Sequence, residues 1–279
     1  MIVVKEFPDR EFETKEDLFK ALRENKSTLI AQKKMQTKCA DAVLHYVVVE
    51  NDKGETNKAE AVDVSDINSL KASLVINTTN LMDSHSDVHF KGTWNKSTKE
   101  NKNILLLQEH RMTFDHIISD DVKAVVKEMN WSDLNINLSG TTEALIFNTN
   151  ISKQRNPFMF EQYAKGYVKE HSVGMRYVKL ELAINSESKW DVEEKAVWDK
   201  YYPEISNKEV ADERGYFWAV TEAKIVEGSA VVKGSNYATP VLNIQAEKSL
   251  ETNEPTEVTQ KTEQEAQKEQ LKQLLNKFK

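Results

Sequence analysis

Cysteine occurs once in this chain of 279 residues, at Cys39, so no disulfide can close within it and a reducing, cytosolic setting is expected. A lone thiol reads as a small buried hydrophobe rather than as a nucleophile. Glycine is scarce at 8 residues, and no glycine-rich phosphate loop can be built from them, which excludes Rossmann and P-loop chemistry. No run of ~18 apolar residues is present, and the opening MIVVKEFPDREF lacks the layout of a signal peptide, so no membrane partner is expected. Positive charge is not in excess: 38 Lys and Arg stand against 45 Asp and Glu, for a net charge of −7. Without a cationic footprint, nucleic acid is not expected as a main partner. Internal repeats are absent too.

What is present is a chain with 39% apolar and 30% charged residues, enough for one large domain or two small ones with part of its length outside the core. Thr14 with Asp17 three places on predicts a capped helix whose apolar face carries Leu18, Phe19 and Leu22. Residues 28–31, 42–49, 74–77, 103–108, 134–138 and 144–151 read as strands, with a turn over 51–54. Ser119 reads as the cap of a helix bearing Val122, Val125, Val126 and Met129 at helical spacing. Asn156-Pro157 opens another helix, on which Phe158, Met159, Phe160 and Tyr163 read as core or as contacts in a homo-oligomer. Strands over 167–177 and 178–184 read as one long bent strand; a helix over 192–201 stops at Pro203, and a strand follows over 216–232. Strands and helices without regular β-α alternation predict an α+β fold, a mainly antiparallel barrel-like β-sheet surrounded by helices. The domain is expected over residues 1–245. Residues 246–279 read as a polar linker ending in an amphipathic helix striped by Leu271, Leu274, Leu275 and Phe278, which needs a partner surface.

Three positions carry candidate chemistry. Ser172 lies inside a strand with Gly174 two places on, where substrate backbone can come close. His110 follows the apolar run NILLLQ, so its ring is held at a strand mouth, where a general base belongs. Glu227 sits within the apolar strand IVEGSAVV, where a carboxylate must be paired or hydrogen-bonded. His116 is the reserve base, and Asp115 and Glu222 are the reserve acids. His171, next to Ser172 on a strand, points to the opposite face. Asp83, His85, Asp87 and His89, spaced two apart, would share one face of an extended segment and so form a candidate metal site for a hydrolase. The favoured reading there is a polar loop or solvent-facing strand, and neither cofactor nor metal is expected.

The LLL-x-x-H strand at His110, the H-S-V-G-M around Ser172 and the late E-A-K-I-V-E-G-S-A-V-V followed by A-T-P-V resemble, in that order, the prohead (capsid maturation) serine proteases of tailed phages. The resemblance spans roughly residues 74–242. The chain departs from the family in having glycine directly after Glu227, where an aliphatic residue is usual, and in a charged insertion at 185–215. Membership would imply a fold related to herpesvirus assemblin proteases and a serine endopeptidase with Ser172 as nucleophile, His110 as base and Glu227 as orienting acid. It would also imply scaffold and major capsid proteins as substrates, self-cleavage, and action inside the assembling procapsid in the host cytoplasm. The alternative is a non-catalytic capsid-assembly protein that keeps the fold.

Overall fold

The longest strand sits at the centre of the architecture and carries one of the candidate residues. The structure, a computed structural model, describes residues 1–35, 67–101 and 103–248. In chain order it contains β1 (Ile2–Val4), β2 (Phe7–Phe12), α1 (Lys15–Glu24), α2 (Lys26–Met35), β3 (Ile67–Thr78), β4 (Asp87–His89), α3 (Asn95–Glu100), β5 (Leu106–Gln108), β6 (Ile117–Ser119), β7 (Val122–Asn130), β8 (Thr141–Ser152), α4 (Pro157–Ala164), β9 (Glu170–Ile184), α5 (Val192–Tyr201), α6 (Lys208–Arg214), β10 (Tyr216–Val231) and β11 (Val241–Lys248). Met1–Glu247 form one compact unit. The expected strand at 42–49, the turn at 51–54, Cys39 and the tail stripe lie outside the described residues.

β10 pairs antiparallel with β9 along its length, from Tyr216 opposite Ile184 to Val231 opposite Glu170. Its other edge receives two short parallel strands, β4 beside Trp218–Val220 and β5 beside Gly228–Ala230. β6 closes that side, antiparallel to β5. A second sheet has the order β11-β3-β8-β7, with β3, β8 and β7 antiparallel. The two sheets face each other across a core that includes Leu74, Ile76, Leu145, Phe147, Leu106, Val173, Met175 and Ile225. They approach so closely at Gly228 that an added Cβ would lie 2.4 Å from the Phe147 ring and 3.1 Å from Ile76. The mixed α+β class therefore holds. The expected barrel-like closure does not, because among the described residues both sheets are open and stack on one another.

Caps and periodicity account for most elements. Thr14 Oγ1 accepts from Asp17 N at the start of α1, and Asn156 Oδ1 accepts from Met159 N at the start of α4, with Pro157 in the first turn. α5 spans the expected residues and ends before Pro203. Three expectations fail. Residues 28–31 lie in α2, where only Leu29 is buried, so a short run of β-formers is overridden by its helical surroundings. Residues 122–130 are β7, paired with β8 from Val122 opposite Thr149 to Asn130 opposite Thr141. The valines there satisfy a helical spacing by coincidence, while their β-branched side chains suit the pleated ladder. Ser119 consequently caps no helix; its hydroxyl donates to Asn150 O and accepts from Asp121 N. Residues 131–134 form a 3-10 turn ending at Asn135 with φ +58°, where a strand was expected over 134–138.

Candidate active site

The register of β9 and β10 decides which side chains meet. Glu227 lies opposite Gly174 and Ser229 opposite Ser172, with Gly228 and Val173 paired between them. Directly opposed residues of an antiparallel pair share a face, as do residues two apart, so Glu227, Ser229, Gly174 and Ser172 all project from one side. Gly228 and Val173 project from the other, into the inter-sheet core. A bulge between Ile225 and Glu227 sets this phase. It is held by α3 and the residue after it, since Ile225 N donates to Ser97 Oγ and Ile225 O accepts from Asn101 Nδ2. Bulges recur where a sheet must re-aim a side chain.

His110 reaches this face from the parallel neighbour β5. The chain leaves β5 through a tight turn in which Arg111 N donates to Gln108 O at 3.1 Å. Both central residues, Glu109 and His110, have positive φ, +51° and +59°. Neither is glycine, and each such conformation costs on the order of 1–3 kcal/mol, strain that concentrates at functional sites. Two bonds to β10 hold the turn: Glu109 N to Ala230 O at 3.0 Å and His110 N to Ser229 Oγ at 3.1 Å. The result places the imidazole over β10, with Nδ1 at 2.6 Å from Glu227 Oε1. Side-chain exposure is 7% for His110 and 2% for Glu227, so the pair is screened from water. A carboxylate only accepts, so Nδ1 carries the proton and Nε2 is left as the basic nitrogen. Nε2 is buried and has no hydrogen-bond partner among the described residues. Glu227 Oε2 accepts from Ser229 Oγ at 2.5 Å, so both carboxylate oxygens are engaged.

The structure therefore brings His110 and Glu227 into direct contact and sets Ser172 on the same face of the sheet, across from Ser229. Ser172 is itself buried, and no hydrogen bond joins it to His110. The reserve residues stand apart. His116 bonds Thr113 Oγ1 at 2.7 Å and pairs with Asp115 at 3.0 Å, on an exposed 3-10 turn. Hydrogen bonds from Thr113 and His116 hold the Asp115 carboxyl down to about 2. Glu222 is bound by Lys179 at 2.7 Å and Lys96 at 3.5 Å, and the Lys179 bond lowers its pKa. His171 lies opposite Ala230 and faces away from Ser172, as expected. Its Nδ1 bonds Thr239 O and its Nε2 bonds Tyr163 OH, each at 3.0 Å, and burial lowers its pKa to about 4.

Asp83, His85, Asp87 and His89 do not share an extended face. Asp83 Oδ1 accepts from His85 N and Asp87 N, which folds 83–86 into a turn with Ser86 at φ +59°, and only Asp87–His89 are strand. Nor do they form a solvated loop, because all four are buried. Asp87 is bound by Lys33 at 2.9 Å and by Tyr177 OH; His89 Nε2 lies 3.3 Å from Met175 Sδ, and its ring stacks on Trp94. Among the described residues no group of three or more His, Cys, Asp or Glu side chains is set to hold a metal ion. Two hollows of about 220 Å³ each, lined in common by Lys5, Glu6 and His85, do not reach Ser172, His110 or Glu227, whereas a small cleft of about 10 Å³ is lined by Ser172 together with Asp83 and His89.

One contributor escaped the sequence reading. Ser229 bonds both Glu227 and the His110 backbone, and the period-two spacing of E-G-S was its available signal. The role of Gly174 escaped it as well: the glycine read as room for substrate backbone instead makes room for Glu227, which only the cross-strand register reveals. Comparison with protein-family models, with curated proteins and with solved structures finds no match to this chain.

Proposed function

We propose that the chain is a serine endopeptidase in which Ser172 is the nucleophile, His110 the general base and Glu227 the orienting acid. The observation that carries this reading is the buried contact between His110 Nδ1 and Glu227 Oε1, which leaves Nε2 basic and unpartnered on the face that bears Ser172. In the reaction Nε2 takes the Ser172 proton as Oγ attacks the scissile carbonyl. The imidazolium, stabilised by Glu227, then returns that proton to the departing amine. Water attacks the acyl-enzyme with the same nitrogen as base, releasing the acid and restoring the hydroxyl. For this, Ser172 Oγ must come within ~3 Å of Nε2 in the substrate complex; catalytic bonds of this kind often tighten only when substrate is bound.

The substrate class rests on the resemblance of the His110, Ser172 and Glu227 segments to phage prohead proteases, a likeness whose finer fold belongs to this same proposal. On that reading the enzyme cleaves scaffold and major capsid proteins, and itself, within the procapsid in the host cytoplasm. A fluorophosphonate probe should label Ser172 in the full chain. Ser172→Ala should lose labelling and scaffold cleavage, a rate loss on the order of 10⁶, with an unchanged melting curve. Mass spectrometry of co-expressed capsid proteins supplies the products. Cleavage that persists in Ser172→Ala would remove Ser172 from the mechanism, and an inert wild-type chain would favour a non-catalytic assembly protein.

A further inference from the structure

We infer that Ser229 is the positioning residue of this site, locking the His110 ring to its own backbone through Glu227. For its catalytic consequence the inference rests on the peptidase reading; its geometric content does not. The Ser229 hydroxyl donates its only proton to Glu227 Oε2 at 2.5 Å and accepts from His110 N at 3.1 Å. Glu227 Oε1 in turn accepts from His110 Nδ1 at 2.6 Å. These bonds close a ring: His110 backbone, Ser229 hydroxyl, Glu227 carboxylate, His110 imidazole. A carboxylate held at both oxygens cannot swing about its terminal torsion, and a turn anchored at its amide cannot lift the imidazole away. Removing the hydroxyl opens the ring at two places at once.

Ser229 is not itself a second nucleophile. It is fully buried, and both its donor and one acceptor site are committed to Glu227 and a backbone amide. The neighbouring strand makes the arrangement one-sided. Gly174 lies against Oε1 and the carboxyl carbon of Glu227, where it has no side chain to bond, while Oε2 accepts from Ser229 Oγ on Glu227's own strand.

The test compares wild type, Ser229→Ala and Ser229→Thr as full chains, with two readouts. One is the tautomer of neutral His110 from imidazole nitrogen and Nδ1–H proton NMR. The other is the rate at which a fluorophosphonate labels Ser172. In wild type a single Nδ1–H tautomer is expected. Ser229→Ala should melt as a folded protein yet show a mixed tautomer and label about 10- to 100-fold more slowly, the scale of a misplaced catalytic group. Ser229→Thr, which keeps the hydroxyl, should restore both; if its methyl prevents folding, Ser229→Cys replaces it as the variant that retains a donor. An alanine variant with the wild-type tautomer overturns the inference, whatever its labelling rate. If wild type takes no probe at all, the peptidase reading falls, while the tautomer comparison still decides the role of Ser229.

Discussion

Gly174 lies directly beneath the carboxyl of Glu227: a Cβ placed on it would sit 1.8 Å from Oε1 and 2.7 Å from the carboxyl carbon. The glycine is thus required by a close approach, since its side-chain space is filled by the acid from the neighbouring strand.

Gly174→Ala should therefore push Glu227 off His110. Overpacking of this kind costs about 1–3 kcal/mol, and displacement of the acid should slow labelling of Ser172 by about 10²-fold. Thermal unfolding and probe kinetics read the two effects separately, and a variant with wild-type values for both would mean that the carboxyl is not held over position 174.

Glu227→Gln keeps the shape of the side chain but replaces an obligate acceptor with a group that also donates. The amide can hold His110 in the wrong tautomer, and loss of the orienting carboxylate in a triad costs on the order of 10⁴ in rate. A near-normal rate in this variant would assign the acid to another residue.

His171 makes stability depend on pH. Its pKa falls from 6.5 to about 4 through burial. Between those values the unfolded chain binds a proton that the folded chain does not, so stability falls as pH drops through this window, by roughly 3 kcal/mol in total. Denaturant unfolding at several pH values should show this slope, and His171→Asn should flatten it even if its stability at pH 7 is lower. An unchanged slope in the variant would mean that His171 charges within the fold.

Asp87 is fully buried and pairs with Lys33 at 2.9 Å. Lys33→Met should leave a buried carboxylate without that partner and cost about 3–5 kcal/mol in denaturant unfolding. Labelling of Ser172 in the folded variant should stay near wild type, because the pair does not touch Glu227, His110 or Ser172; a large loss there would tie this buried network to the site.

The residues of the candidate site were individually visible in the sequence. An extended run holds Ser172 with Gly174 two places on, an apolar strand with a carboxylate inside it marks Glu227, and an apolar run ending in a histidine marks His110 as anchored. Caps at Thr14 and Asn156 announced two helices through local hydrogen bonding, which needs no distant partner. Where the reading failed, distant contacts had overruled local preference. Residues 122–130 carry a helical spacing, yet the exposed edge of β8 recruited them as a strand. At Asp83 the cause was local instead: its carboxylate accepts two nearby backbone amides and folds the segment into a turn.

By itself, then, the amino-acid order determined the local periods, the caps and the polar residues embedded in apolar strands, because each depends on neighbours within a few positions. Tertiary structure alone decided that β5 lies parallel beside β10, that β9 pairs with it in the register placing Ser172 opposite Ser229, and that the bulge before Glu227 turns its carboxyl toward His110. Those choices bring together residues far apart in the chain: the His110–Glu227 bond alone spans 117 positions. Such pairings follow from which surfaces bury best against one another, a property of the whole packed chain rather than of any segment.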